Sequence, residues 1–139
     1  MSHGLYPQLL SESGLVAALQ SIQRRTPIPL SLEADGVGRY SPEVESAVYY
    51  SCLEAIQNAT KHAGHELHIS VTLRQDDDQL QFDVEDDGAG FEAELVTGTG
   101  LQNMEDRLGA VGGRLTVRTA PGQGTLISGR VPRPIRRNP

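Results

Sequence analysis

The stretch Asp83–Glu94, DVEDDGAGFEAE, decides how this chain is read: twelve residues hold six carboxylates, two glycines and one phenylalanine. Acids at positions 1, 3, 5 and 12 with glycine at position 6 outline a calcium loop. The same letters also describe a strand that runs into a glycine loop. A calcium loop of that kind is entered by one helix and left by another. Here Leu80, Phe82 and Val84 alternate with Gln81, Asp83 and Glu85, the period of a strand with one buried face. Position 3 is Glu85, where the loop pattern takes Asp or Asn. The strand reading therefore explains more. Continued by one residue, it puts Asp86 on the face of Leu80, Phe82 and Val84. A carboxylate aimed at the core side needs a dedicated donor. The exocyclic amine of an adenine answers that need, and so do nearby backbone amides. Gly88 and Gly90 let a backbone come close to a flat ligand.

Upstream, Leu67, Ile69, Val71 and Leu73 alternate with polar residues and pair with this strand through the turn Asp76-Asp77-Asp78. Before them, Ser41–Ala63 reads as the longest helix, with Ser41 as cap, Pro42 in the first turn, and Glu43 and Glu45 near its positive end. Val48, Cys52, Ala55, Ile56, Ala59 and Ala63 form its apolar arc. Glu54, Asn58, Lys61 and His62 form a second arc. A carboxylate and an amide oxygen one turn apart suit magnesium, and Lys61 suits a phosphate. Leu15–Gln23 predicts a short helix, and Ile28, Leu30 and Leu32 a strand.

Downstream, Gly98-Thr99-Gly100 precedes a helix over Leu101–Val111, closed by Gly112-Gly113. A helix start preceded by glycines suits phosphate, although these residues form neither the dinucleotide fingerprint nor a P-loop. A strand from Leu115, the turn Pro121–Gly124 and a strand over Thr125–Val131 follow. The order predicts an α+β protein: a two-layer α/β sandwich with a mixed, mostly antiparallel sheet and helices on one face. Residues 1–25 are expected to be linker and first helix, 26–132 the main domain, and 133–139 a frayed basic tail.

With 139 residues, 22% of them charged, one soluble domain is expected. A net charge of −6 with scattered basic residues argues against direct nucleic-acid binding. Cys52 is the single cysteine, so it forms no intrachain disulfide and reads as a core residue. His62, His65 and His68 lack the spacing and the cysteines of a usual zinc site. No apolar run approaches the ~20 residues that cross a bilayer. The expected location is the cytoplasm, including the cytoplasmic part of a membrane-associated sensor.

Four motifs, in order, resemble the ATP-binding domain of bacterial sensor histidine kinases, in the wider family shared with Hsp90, DNA gyrase B and MutL (the Bergerat fold). Glu54–Ala63 resembles its N box, Asp86–Phe91 its first glycine box, Gly98–Leu108 its second, and Gly122–Thr125 its last. His3–Leu10 and Gly14–Leu19 are similar to the segment that leaves the dimerisation helices in one kinase subfamily, whose partners are response regulators with a helix-turn-helix output.

The resemblance implies roles. Asp86 would bind the adenine amine, helped by Thr125 through water. Asn58 would hold magnesium, with Glu54 close to the metal or its water. Lys61 and His62 would meet phosphate or ribose. Gly88, Gly90, Gly98, Thr99, Gly100 and Leu101 would frame the loop over the phosphates. That loop carries no Lys or Arg, which leaves the phosphate charge to magnesium, Lys61 and Arg107. The subfamily's phosphoacceptor histidine motif is missing. The chain is thus expected to bind ATP as a monomer and to act on a dimerisation domain that it lacks. A serine kinase of the anti-sigma type and a non-catalytic ATP-binding module are the alternatives.

Overall fold

In a computed structural model, residues 8–34, 36–61, 67–88, 100–119 and 122–132 are described. Two helices, α1 (Gln8–Ser13) and α2 (Leu15–Arg25), open the fold, with Gly14 between them. Leu15, Ala18, Leu19 and Ile22 form the buried stripe of α2. It stops where the Thr26 hydroxyl and amide both donate to the Ile22 carbonyl, at 2.7 and 2.9 Å, ahead of two prolines. Helix α1 was not anticipated. It is a six-residue piece with one buried side chain, Leu10, too short to show a period.

Strand β1 (Leu30–Ala34) leads to α3 (Pro42–Lys61). The Ser41 hydroxyl accepts the Val44 amide at 3.2 Å, which is the expected cap. Glu45 is not a surface charge at the helix start: only 1% of it is exposed. Its carboxylate accepts from Arg39 Nε at 2.9 Å and from the Tyr40 amide at 3.1 Å. Arg39 also reaches the Ser11 and Glu12 carbonyls at 3.2 and 3.4 Å, so one guanidinium ties the end of α1 to the start of α3.

The hairpin of β2 (Ile69–Gln75) and β3 (Gln79–Asp86) closes where Asp76 Oδ1 accepts the Asp78 and Gln79 amides. After α4 (Leu101–Gly109) come β4 (Arg114–Thr119) and β5 (Thr125–Pro132). Helix α4 stops two residues before the expected Val111. There the Val111 and Gly113 amides both turn back to the Leu108 carbonyl.

The strand order is β1-β2-β3-β5-β4, with only the β1–β2 pair parallel. This is the expected mixed, mostly antiparallel sheet. Register lines side chains into rows across it. Leu32, Val71, Val84, Ile127 and Val117 form one row, and Ala34, Leu73, Phe82, Gly129 and Leu115 the next. Both rows face α2, α3 and α4 and form the floor of the core. Gly129 is needed in the second row, because a Cβ there would overlap the Phe82 ring.

Inside α3, the Ser51 hydroxyl is fully buried and has no hydrogen-bond partner among the described residues. A stranded hydroxyl costs more than an absent one. Ser51→Ala is therefore expected to stabilise the fold by about 1 kcal/mol, seen as a higher urea midpoint at an unchanged slope.

Candidate functional site

A third row crosses the sheet where β3 ends: Leu30, Ile69, Asp86, Thr125 and Thr119. It is apolar on β1 and β2 and turns polar on β3, β5 and β4. Asp86 thus lies on the helix-facing side of the sheet, where the alternation from Leu80 put it. The Gly88 amide donates to its Oδ1 at 2.8 Å. Burial pushes the Asp86 carboxyl above the ordinary aspartate pKa. The Gly88 amide opposes that shift, Asp87 adds to it, the Thr125 amide opposes it, and Glu85 adds to it.

Two neighbouring acids are engaged elsewhere. Asp83, on the open face, accepts from Arg74 at 2.9 Å and from Gln81 and Ser128. Asp87 accepts the His68 amide at 2.7 Å. Positions 1 and 5 of the would-be calcium loop are therefore taken by protein donors, and position 1 sits inside a strand. The calcium reading fails on that geometry.

Gly124 lies directly over the Asp86 carbonyl at φ +72°, and a Cβ there would overlap that oxygen. The backbone after β3 and the turn before β5 meet only because this residue has no side chain. Thr125 is buried, and its hydroxyl lies 2.9 Å from that of Thr119, which donates to the Gly124 carbonyl at 3.3 Å. With Thr119 donating there, Thr125 donates to Thr119 and keeps lone pairs for an incoming donor. A cavity of about 400 Å³ opens at the end of the sheet, lined by Glu85, Arg118 and Leu126 of its open face as well as by Asp86, Thr119, Gly124 and Thr125. Sequence reasoning missed Thr119. Counting back across the β4–β5 turn from Thr125 would have paired the two.

Helix α3 supplies the other side. Asn58 is buried and Glu54, one turn earlier, is half-buried. The Glu54 carboxylate lies against Gly100, the φ +83° residue that starts α4; a Cβ there would sit 2.7 Å from Glu54 Cδ. Leu101, Met104 and Leu108 are buried and hold α4 to the core, so Leu101 acts in packing. Arg107 stacks over the Tyr50 ring at 4.9 Å, one turn before Glu54 on α3. Its charge is thereby held near the C-terminal end of α4, away from Gly100. The Lys61 side chain, His62, Gly90, Gly98 and Thr99 lie outside the described residues, as do His65 and the rest of 89–99.

Among the described residues, no three His, Cys, Asp or Glu side chains come together to hold a metal ion. Glu54 and Asn58 offer two oxygens, which fits magnesium, an ion that takes one or two protein ligands and fills its shell with phosphate and water. A purine amine fits Asp86: the carboxylate is partly desolvated, has the Gly88 and Thr125 amides beside it, and lines the cavity at the end of the sheet.

The sequence profile of the histidine kinase-, DNA gyrase B-, and HSP90-like ATPases matches residues 43–135. The chain belongs to this family. The resemblance read from the four motifs to its ATP-binding domain is thus borne out. The ATPase domain is similar to sensor histidine kinase MctS of Rhizobium johnstonii, at 31% identity over 99% of this chain and 32% of that protein. It is also 32% identical to the signal transduction histidine-protein kinase/phosphatase DegS of Brevibacillus brevis, over 88% of this chain and 33% of the relative. It therefore spans about a third of the length of these curated relatives. Among solved structures, the blue-light activated histidine kinase of Erythrobacter litoralis EL346 shares the fold. That match has a TM-score of 0.72 and 22% identity, over 85% of this chain and 40% of that one.

Proposed function

We propose that this domain binds ATP with magnesium as the catalytic part of a sensor histidine kinase. In the whole enzyme, the γ-phosphoryl group passes to a histidine on a dimerisation domain and from there to a response regulator. The observation that carries the reading is Asp86: a half-buried, partly desolvated carboxylate at a strand end, on the core side, lining the cavity at the end of the sheet beside a glycine that must stay a glycine. The names of the related proteins support histidine-kinase chemistry over the serine-kinase and non-catalytic alternatives.

In this reading Asp86 accepts the adenine amine and Thr125 supports it. Asn58 and Glu54 hold magnesium, which would neutralise charge on the phosphates. Lys61 and His62 act on phosphate or ribose, and Gly88, Gly90, Gly98, Thr99 and Gly100 let backbone approach the nucleotide. Phosphoryl transfer rests on positioning and charge neutralisation, so these groups suffice without a covalent intermediate on this domain. Residues 1–25 lead in from the dimerisation region, 26–132 bind the nucleotide, and 133–139 form a basic tail. The domain works on the cytoplasmic side, is a monomer by itself, and meets a helix-turn-helix response regulator only through the whole kinase. No described helix is long and apolar enough to cross a membrane.

Calorimetric titration tests the reading. MgATP is expected to bind one-to-one to the purified chain, with no comparable signal from calcium. Heat from calcium and none from MgATP would overturn it.

A further inference from the structure

We propose that Glu54 makes nucleotide binding depend on the divalent cation, by repelling ATP that arrives without one. This rests on the ATP reading above and goes beyond it. The Glu54 carboxylate is packed on the Gly100 backbone, and Asn58 follows one turn later on α3. Among the described residues Glu54 has neither a hydrogen-bond nor an ion-pair partner. Arg107 on α4 is stacked on Tyr50, and Arg118 lies at the far end of the sheet beside Glu85. At the sheet end, Glu85, Asp86 and Asp87 add negative charge, and among the described residues Asp87 is matched by the neutral His68 amide.

A polyphosphate seated between α3 and the start of α4 therefore meets an anion that no described group offsets. Like charges in a half-buried site interact far more strongly than in bulk water. A divalent cation between the carboxylate and the phosphates reverses the sign of that contact. Glu54 then acts as a specificity-determining residue: it admits the metal complex and disfavours the free nucleotide.

The test compares the Kd of ATP in excess EDTA and in excess magnesium for the parent, Glu54→Gln and Glu43→Gln. Glu43 lies exposed in the first turn of α3, so its substitution changes net charge by the same amount away from the site. Glu54→Gln is expected to tighten metal-free ATP by about tenfold and to weaken MgATP, so that the two Kd values move in opposite directions. Glu43→Gln should move neither. Added salt should also tighten metal-free ATP on the parent, because screening weakens repulsion; this arm needs no variant. Equal shifts of both Kd values in Glu54→Gln would mark a packing role only and overturn the proposal. So would a parent that binds ATP equally well with and without magnesium, or metal-free affinity that weakens with salt. No binding of ATP to the parent under any condition would instead remove the ATP reading itself.

Discussion

Asp86→Ala is expected to weaken ATP binding by about 100-fold or more, with the fold intact. A site built to hydrogen-bond one substrate group loses most of its affinity when that bond cannot form. The side chain stands at the end of β3, half-buried, and its loss leaves the two apolar rows beneath it untouched. Calorimetry gives the affinity, and the thermal midpoint reports the fold. A variant that binds within a few-fold of the parent would remove Asp86 as the adenine reader.

Asp86→Asn separates stability from function. The folded-state pKa of Asp86 is raised, with burial as the largest cause. A raised carboxyl favours the fold while protonated and loses that contribution as pH rises through the folded-state value. The neutral amide escapes this loss. At pH 7 the unliganded Asn variant is expected to melt above the parent, with the gap closing toward pH 4. Its ATP affinity should still fall, because an amide accepts the adenine amine without the help of charge. A parent equally stable relative to the variant at both pH values would contradict the assigned burial.

The second large effect is on the fold. Arg39→Ala strips Glu45, 1% exposed, of its ionic partner and leaves it the Tyr40 amide. It also frees the Ser11 and Glu12 carbonyls at the end of α1. Breaking a buried pair from one side costs several kcal/mol. Arg39 itself is half-exposed, which lowers the value, so about 2–3 kcal/mol is expected in urea unfolding. Adding Glu45→Gln should restore part of the loss, because the uncompensated charge is then gone. A single variant within about 0.5 kcal/mol of the parent would show that the clamp is dispensable.

Much of this was legible in the sequence, because period and caps are local. Alternation from Leu80 to Asp86 set the face of the key carboxylate, and Ser41-Pro42 set the start of α3. What stayed hidden depends on distant partners. Glu45 looked like a charge serving the helix start, since nothing local shows that Arg39 folds back on it. Gly129 gave no turn signal; it is glycine because Phe82 fills its space four residues along the strand from the polar row. Thr119 and the contact of Glu54 with Gly100 follow from pairing and packing. Arg107 read as a phosphate ligand because residues 89–99 carry no Lys or Arg, but Tyr50 on α3 is what it meets.

The central claim, that the polar corner of the sheet reads an adenine, is tested most directly by comparing ATP with GTP, each with magnesium, on the unmodified chain. Adenine offers Asp86 a donor amine at the position where guanine presents a carbonyl oxygen. The account predicts that GTP binds at least ~100-fold more weakly than ATP. Equal affinity for the two would contradict it and would leave Asp86 as a carboxylate that serves only the backbone amides of Gly88 and Thr125.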